Sequence, residues 1–182
     1  GNTLTLTGDL SATSDTVTFT SANSNDPLVI IKNTTNDTNG ARLQFVKDKG
    51  AAGVDGDDIG VIEFLGDDAS QTQTTFAKIV AEVSEADNTD EAGKLSLFVA
   101  ESDGTTTALT AGLVLEGEHA TDGQVDVTIG AGTASTTTIA GDLSVTTGLI
   151  LDSVDVTTIQ TSAESFADND TSLMTSAAID DR

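Results

Sequence analysis

One imidazole stands in a chain with few other groups able to move a proton near neutral pH. His119, in Glu116-Gly117-Glu118-His119-Ala120, is the only histidine, and there is neither cysteine nor tyrosine. Nucleophilic catalysis needs a base held against a positioned hydroxyl or thiol, with a third group to orient that base. The Gly-flanked elbow that presents a reactive serine between a strand and a helix has no match here. No Lys or Arg lies near His119 in sequence. Its plain reading is a surface turn residue.

Carboxylates are the other chemical resource. Two of them flanking a sugar can cleave a glycosidic bond, but among 30 acidic residues adjacent pairs arise by chance. The Trp and Tyr platforms on which sugars stack are absent altogether. Asp55-Gly56-Asp57-Asp58 and Gly66-Asp67-Asp68 concentrate oxygen ligands of the kind Ca²⁺ takes. Neither has the spacing of an EF-hand loop or a nonapeptide calcium repeat. Gly50-Ala51-Ala52-Gly53-Val54-Asp55-Gly56-Asp57-Asp58 reads as three Gly-X-Y triplets, too few, and without Pro, to hold a triple helix. A Gly/Asp loop is the simpler account. The expectation is therefore a protein without enzyme activity, with no catalytic, cofactor-binding or metal-ligating residues assigned and Ca²⁺ as the one cation its acids could attract.

What must position these groups is suggested by composition. Thr fills 31 of the 182 positions, with 17 Gly and one Pro. Thr, Val and Ile suit a pleated, half-buried surface. Large aromatics usually anchor a compact core, yet here six Phe serve alone: Phe19, Phe45, Phe64, Phe76, Phe98 and Phe166. A thin, slender core follows, with Phe64 and Phe98 expected inside it.

The formal charge is −23, and from Leu95 to Asp181 there are 14 acids with no Lys or Arg. Such a surface repels phosphate, which excludes nucleic-acid binding for that half and disfavours anionic membranes. No apolar run reaches the ~18 residues of a membrane span. The missing cysteines exclude a disulfide framework. Gly1 is not an initiator Met and Arg182 ends an unfinished pattern, so a piece of a longer polypeptide is expected.

Alternating runs predict strands at Thr3–Thr7, Thr16–Thr20 and Val125–Ile129. Denser runs predict them at Leu28–Ile31, Leu43–Val46, Val61–Leu65, Leu95–Val99 and Leu113–Leu115. Ala77–Val83 mixes strand alternation with helix-forming Ala, Lys and Glu; its length and the Asp87-Asn88-Thr89-Asp90 turn after it favour strand. The runs fall into four blocks: a sparse segment 1–26, a denser domain 27–118, a second sparse segment 119–160, and 161–182. Gly8-Asp9-Leu10-Ser11-Ala12-Thr13 returns as Gly141-Asp142-Leu143-Ser144-Val145-Thr146, linking the two sparse segments. An Asp or Thr cap before Leu173, Met174, Ala177 and Ala178 predicts a short C-terminal helix with one apolar face. A chain with so little core buries its apolar faces at least cost by pairing with copies of itself, in closed symmetry that leaves no free edges.

The stretch Gly40-Ala41-Arg42-Leu43-Gln44-Phe45-Val46-Lys47-Asp48-Lys49-Gly50, continuing to Gly60, resembles a segment recurring in tail fibre proteins of marine and cyanobacterial phages. Gln73–Ile79, Asp90–Leu95, Ile129–Gly132 and Asp168–Thr175 are similar to other parts of such fibres, so the resemblance runs over about residues 28–182. It implies a homotrimer in the virion, extracellular, joined to further fibre or tail proteins and serving host attachment. Some relatives end in a self-cleaving chaperone domain, whose catalytic residues have no counterpart here. The combined expectation is an all-β, elongated homotrimeric fibre. Thr/Gly-rich β shaft segments (1–26 and 119–160) would flank a central antiparallel, sandwich-like β domain (27–118), followed by a short C-terminal helix (161–182). Its partners would be itself and other fibre proteins, with neither nucleic acid nor membrane insertion. Binding to a host-surface glycan or protein is the main alternative. A bacterial adhesin or filament follows it, and a polysaccharide depolymerase ranks last.

Overall fold

The computed structural model describes residues 11, 13, 16–120, 123–132, 134–147, 149–151, 154–156, 158–160 and 172–174. Its centre is one antiparallel sheet of five strands: β1 (Asp58–Asp67), β2 (Gln73–Glu85), β3 (Ala92–Ser102), β4 (Thr107–Gly117) and β5 (Val125–Ile129). The spatial order is β1-β2-β3-β4-β5, a simple meander. Short pairs follow: β6 (Leu149–Leu151) with β7 (Val154–Val156), antiparallel, and β8 (Thr158–Gln160) with β9 (Ser172–Met174), parallel.

The turns explain why the chain reverses where it does. Between β1 and β2 the Asp68 carboxylate accepts from the Ser70 and Thr72 amides at 2.7 and 2.9 Å, an Asx turn closed by the Asp68 amide on the Thr72 carbonyl. Between β3 and β4, Asp103 accepts from the amides of Thr105 and Thr106, both at 2.8 Å, while Gly104 takes φ +90°. That left-handed value costs glycine nothing. Among the described residues three others that are not glycine sit there too: Asn25 at φ +65°, which its type tolerates, and less comfortably Gln71 at φ +63° and Thr89 at φ +75°.

Register fixes the rows. Val61, Val80, Ser96, Val114 and Thr128 lie side by side across all five strands, and Ile62, Ile79, Leu97, Leu113 and Ile129 form the next row. Adjacent rows point to opposite faces. Phe76 is the extra residue where β2 slips against β1, and Gly112 the extra one where β4 slips against β3. The Gly112 carbonyl, freed there, accepts from the Gly130 amide at 2.9 Å, which draws the segment after β5 back onto the sheet.

Among the described residues only Val80, 4% exposed, and Ser96, 2% exposed, are buried. A single sheet layer cannot do better. Of the expected strands, Val61–Leu65, Ala77–Val83, Leu95–Val99, Leu113–Leu115 and Val125–Ile129 all lie in the sheet, the last joining it from the sparse block 119–160. Thr16–Thr20, Leu28–Ile31 and Leu43–Val46 do not form strands. Apolar alternation reports which side chains seek burial; it does not supply the neighbouring backbone that a strand needs. Leu28 is accordingly 71% exposed. Phe64 is also not enclosed, being 53% exposed, whereas Phe98 is half-buried. Where the C-terminal helix was expected, Ser172–Met174 is a strand, because it pairs with β8. The rest of that helix, Thr3–Thr7 and Gly8–Asp9–Leu10 lie outside the described residues.

Candidate interaction surface

The residues singled out for chemistry are dispersed, and most of them shape turns. His119, beyond the end of β4, meets the β2–β3 turn: its Nδ1 is 3.3 Å from Asp90 Oδ2 and 4.0 Å from Glu85 Oε2. The hydrogen bond to Asp90, then its charge, with Glu85 and Glu118 behind it, raises the imidazole pKa above its ordinary value. The side chain is half exposed, and its partners among the described residues are carboxylates, Asp90 and Glu85.

The acidic clusters are also engaged locally. Asp57 holds Lys49 Nζ at 2.7 Å and accepts from the Val54 amide at 3.0 Å; the lysine bond first, then the amide, keep its carboxyl below the usual range. Asp55 accepts from the Ala86 amide at 2.9 Å. The Gly56 amide and the Asp57 carbonyl bond to Val83, so residues 54–57 of the Gly-X-Y-like stretch dock beside the end of β2. Asp103 is held far below the normal carboxylate range by the Thr105 hydroxyl and the Thr106 and Thr105 amides. Among the described residues no group of three or more His, Cys, Asp or Glu is gathered as a metal would require. Nor is any described helix long and apolar enough to cross a membrane.

The surface with a consistent chemical character is the sheet itself. One face carries the mixed row Val61–Val80–Ser96–Val114–Thr128, flanked by Asp58–Glu82–Lys94–Glu116–Asp126 on one side and Glu63–Lys78–Phe98 on the other. Long side chains close over it. Lys94 Nζ reaches Glu82 at 3.3 Å, and Lys78 Nζ sits 4.7 Å from the centre of the Phe98 ring. Val80 and Ser96, in the row between these two, are buried, as long amphipathic side chains over a one-layer sheet allow.

The other face carries Gly60–Ala81–Leu95–Leu115–Val127, Ile62–Ile79–Leu97–Leu113–Ile129 and Phe64–Ala77–Val99–Thr110. These three rows hold no ionisable side chain, and most of their large members are open to solvent: Leu97 is 37% exposed and Ile129 59%. One corner is covered by Phe45. A Cβ added at Gly60 would lie 2.8 Å from Phe45 Cβ, so the glycine is the seat on which that ring rests. The strand runs containing these residues were visible in the sequence. Beyond Val99 the same face reaches Glu101, which accepts from the Thr110 hydroxyl at 3.3 Å and so edges the uncharged rows. The sorting into one charged face and one with three charge-free rows was not visible, because it depends on register between strands far apart in the chain.

No protein-family model, curated protein or solved structure matches this chain.

Proposed function

We propose that this chain is a structural module of an extracellular, self-associating β fibre, most specifically a homotrimeric phage tail fibre, acting as a spacer in host attachment. One observation carries the proposal: almost nothing in the described chain is buried, while Leu, Ile, Val and Phe lie open in numbers a lone soluble domain does not tolerate. Folding alone therefore leaves a broad apolar area in contact with water. Association with further copies supplies the missing burial, and the resemblance of residues 28–182 to fibre modules points to three copies in a virion. The dispersal of His119 and the aspartates into turns, with their mutual bonds, suits a mechanical part better than a reactive one.

Light scattering or native mass spectrometry tests this. The expected particle has three times the chain mass of 18.5 kDa. A stable folded monomer would refute the fibre module and leave an independent binding domain in its place. A glycan array probed with the same material separates spacer from receptor-binding tip, with no retained glycan expected.

A further inference from the structure

We propose that the charge-free sheet face is the surface on which copies of this chain meet, each turning the row Ile62–Ile79–Leu97–Leu113–Ile129 toward a shared axis. The inference rests on the self-associating reading above and names the surface responsible.

Charge decides which surface copies can share. At −23 per chain, any two copies repel wherever acidic side chains face one another. The opposite sheet face presents Asp58, Glu63, Glu82, Glu116 and Asp126 with only Lys78 and Lys94 among them. Bringing two such faces together would desolvate like charges. The row through Leu97 and the rows beside it carry none; Glu101, bonded to Thr110 at their outer edge, is the carboxylate that borders them. An occupant of this face has to be flat, apolar and uncharged over the same extent, and the face of another copy meets all three conditions.

The dimensions agree. Five strands at ~4.8 Å make a sheet about 24 Å wide, and the β2 residues on this face, Ala77, Ile79, Ala81 and Val83, span about 23 Å along it. Each copy thus offers on the order of 550 Å². Two faces reach about 1,100 Å² and three about 1,650 Å², spanning the lower edge and the middle of the range for specific interfaces. A triangle with sides of about 24 Å has its centre about 7 Å from each side, close to the ~5 Å that is half the spacing of face-packed sheets. Leucine and isoleucine side chains fill that space. With four copies the centre would recede to about 12 Å and leave a hole. β3 is the middle strand, so Leu97 lies at the centre of the seam. Phe45 on Gly60 closes the β1 corner, so the segment before the sheet borders the seam.

The chain has no cysteine, so single introduced thiols report cleanly. Leu97→Cys and Thr128→Cys place a thiol on the charge-free and the charged face respectively. In the assembled full chain, maleimide is expected to modify Leu97→Cys at least tenfold more slowly than Thr128→Cys. Leu97→Glu is expected to lower the native mass to 18.5 kDa with the strand circular dichroism retained, while Thr128→Glu leaves the mass unchanged. Equal thiol rates in a wild-type multimer would overturn the assignment of this face and leave self-association standing. Protection of Leu97→Cys in an 18.5 kDa monomer would overturn both, showing that residues 28–46 of the same chain fold over the face.

Discussion

Among the described residues Phe98 is the aromatic side chain with the most to lose from truncation. It is half-buried beneath the Lys78 ammonium on the charged face. Complete burial would make Phe→Ala cost about 3–5 kcal/mol; here Phe98→Ala is expected to cost about 2 kcal/mol in urea unfolding, including the lost cation–ring contact. Ser84, at the slip between Val83 and Glu85, has a buried hydroxyl without a hydrogen-bond partner. Ser84→Ala should therefore raise stability by about 1 kcal/mol, because an unmet donor leaves the interior. His119 supplies a pH test. Its pKa is raised in the fold, so its pairing with Asp90 and Glu85 stabilises below the unfolded value near 6.5 and is lost as pH rises through the folded one. As the only imidazole it can be followed directly by NMR. The midpoint should lie above 6.5 in the native chain and move down in Asp90→Asn.

At the scale of elements, the meander depends on turns whose chemistry is local and on one long-range seat. Gly60→Val would place a side chain where Phe45 rests. Residues 43–46 should then detach, and limited proteolysis should cut before Asp58 sooner than in the wild type while the sheet resists. This contrast between local and distant contacts also explains what could be read from the sequence. Leu95–Val99 and Val125–Ile129 were legible as strands because their neighbours follow within a turn that Asp103 or Gly123 signals. Leu28–Ile31 has the same apolar content yet forms no strand, since nothing in sequence spacing says whether another backbone lies beside it. Ala77–Val83, ambiguous by propensity, resolves as strand because β1 and β3 pair with both its edges. The charge-free rows were hidden for a related reason: Ile62 and Ile129 come to the two ends of one row only after the three intervening strands are in register.

For the whole molecule, acidity and apolarity act against each other. A charge of −23 per copy opposes association, and the uncharged face favours it. Salt should shift that balance. Between about 10 mM and 1 M the screening length falls from about 30 to 3 Å, so the assembly is expected to bind at least tenfold more tightly at high salt, as sedimentation velocity would show. Weakening with salt would mean that attraction between opposite charges holds the copies together.

The meander has a further consequence for how such an assembly is made. Each strand of the five-stranded sheet after β1 pairs with the one synthesised just before it, so its hairpins can close in order as the polypeptide leaves the ribosome, before a sister chain is met. For that interval the Leu97 row is sticky and alone. Nascent chains on one message are the nearest sources of a matching face. Assembly then becomes a matter of timing, in which polysome spacing and local protein concentration decide between orderly pairing and clumping.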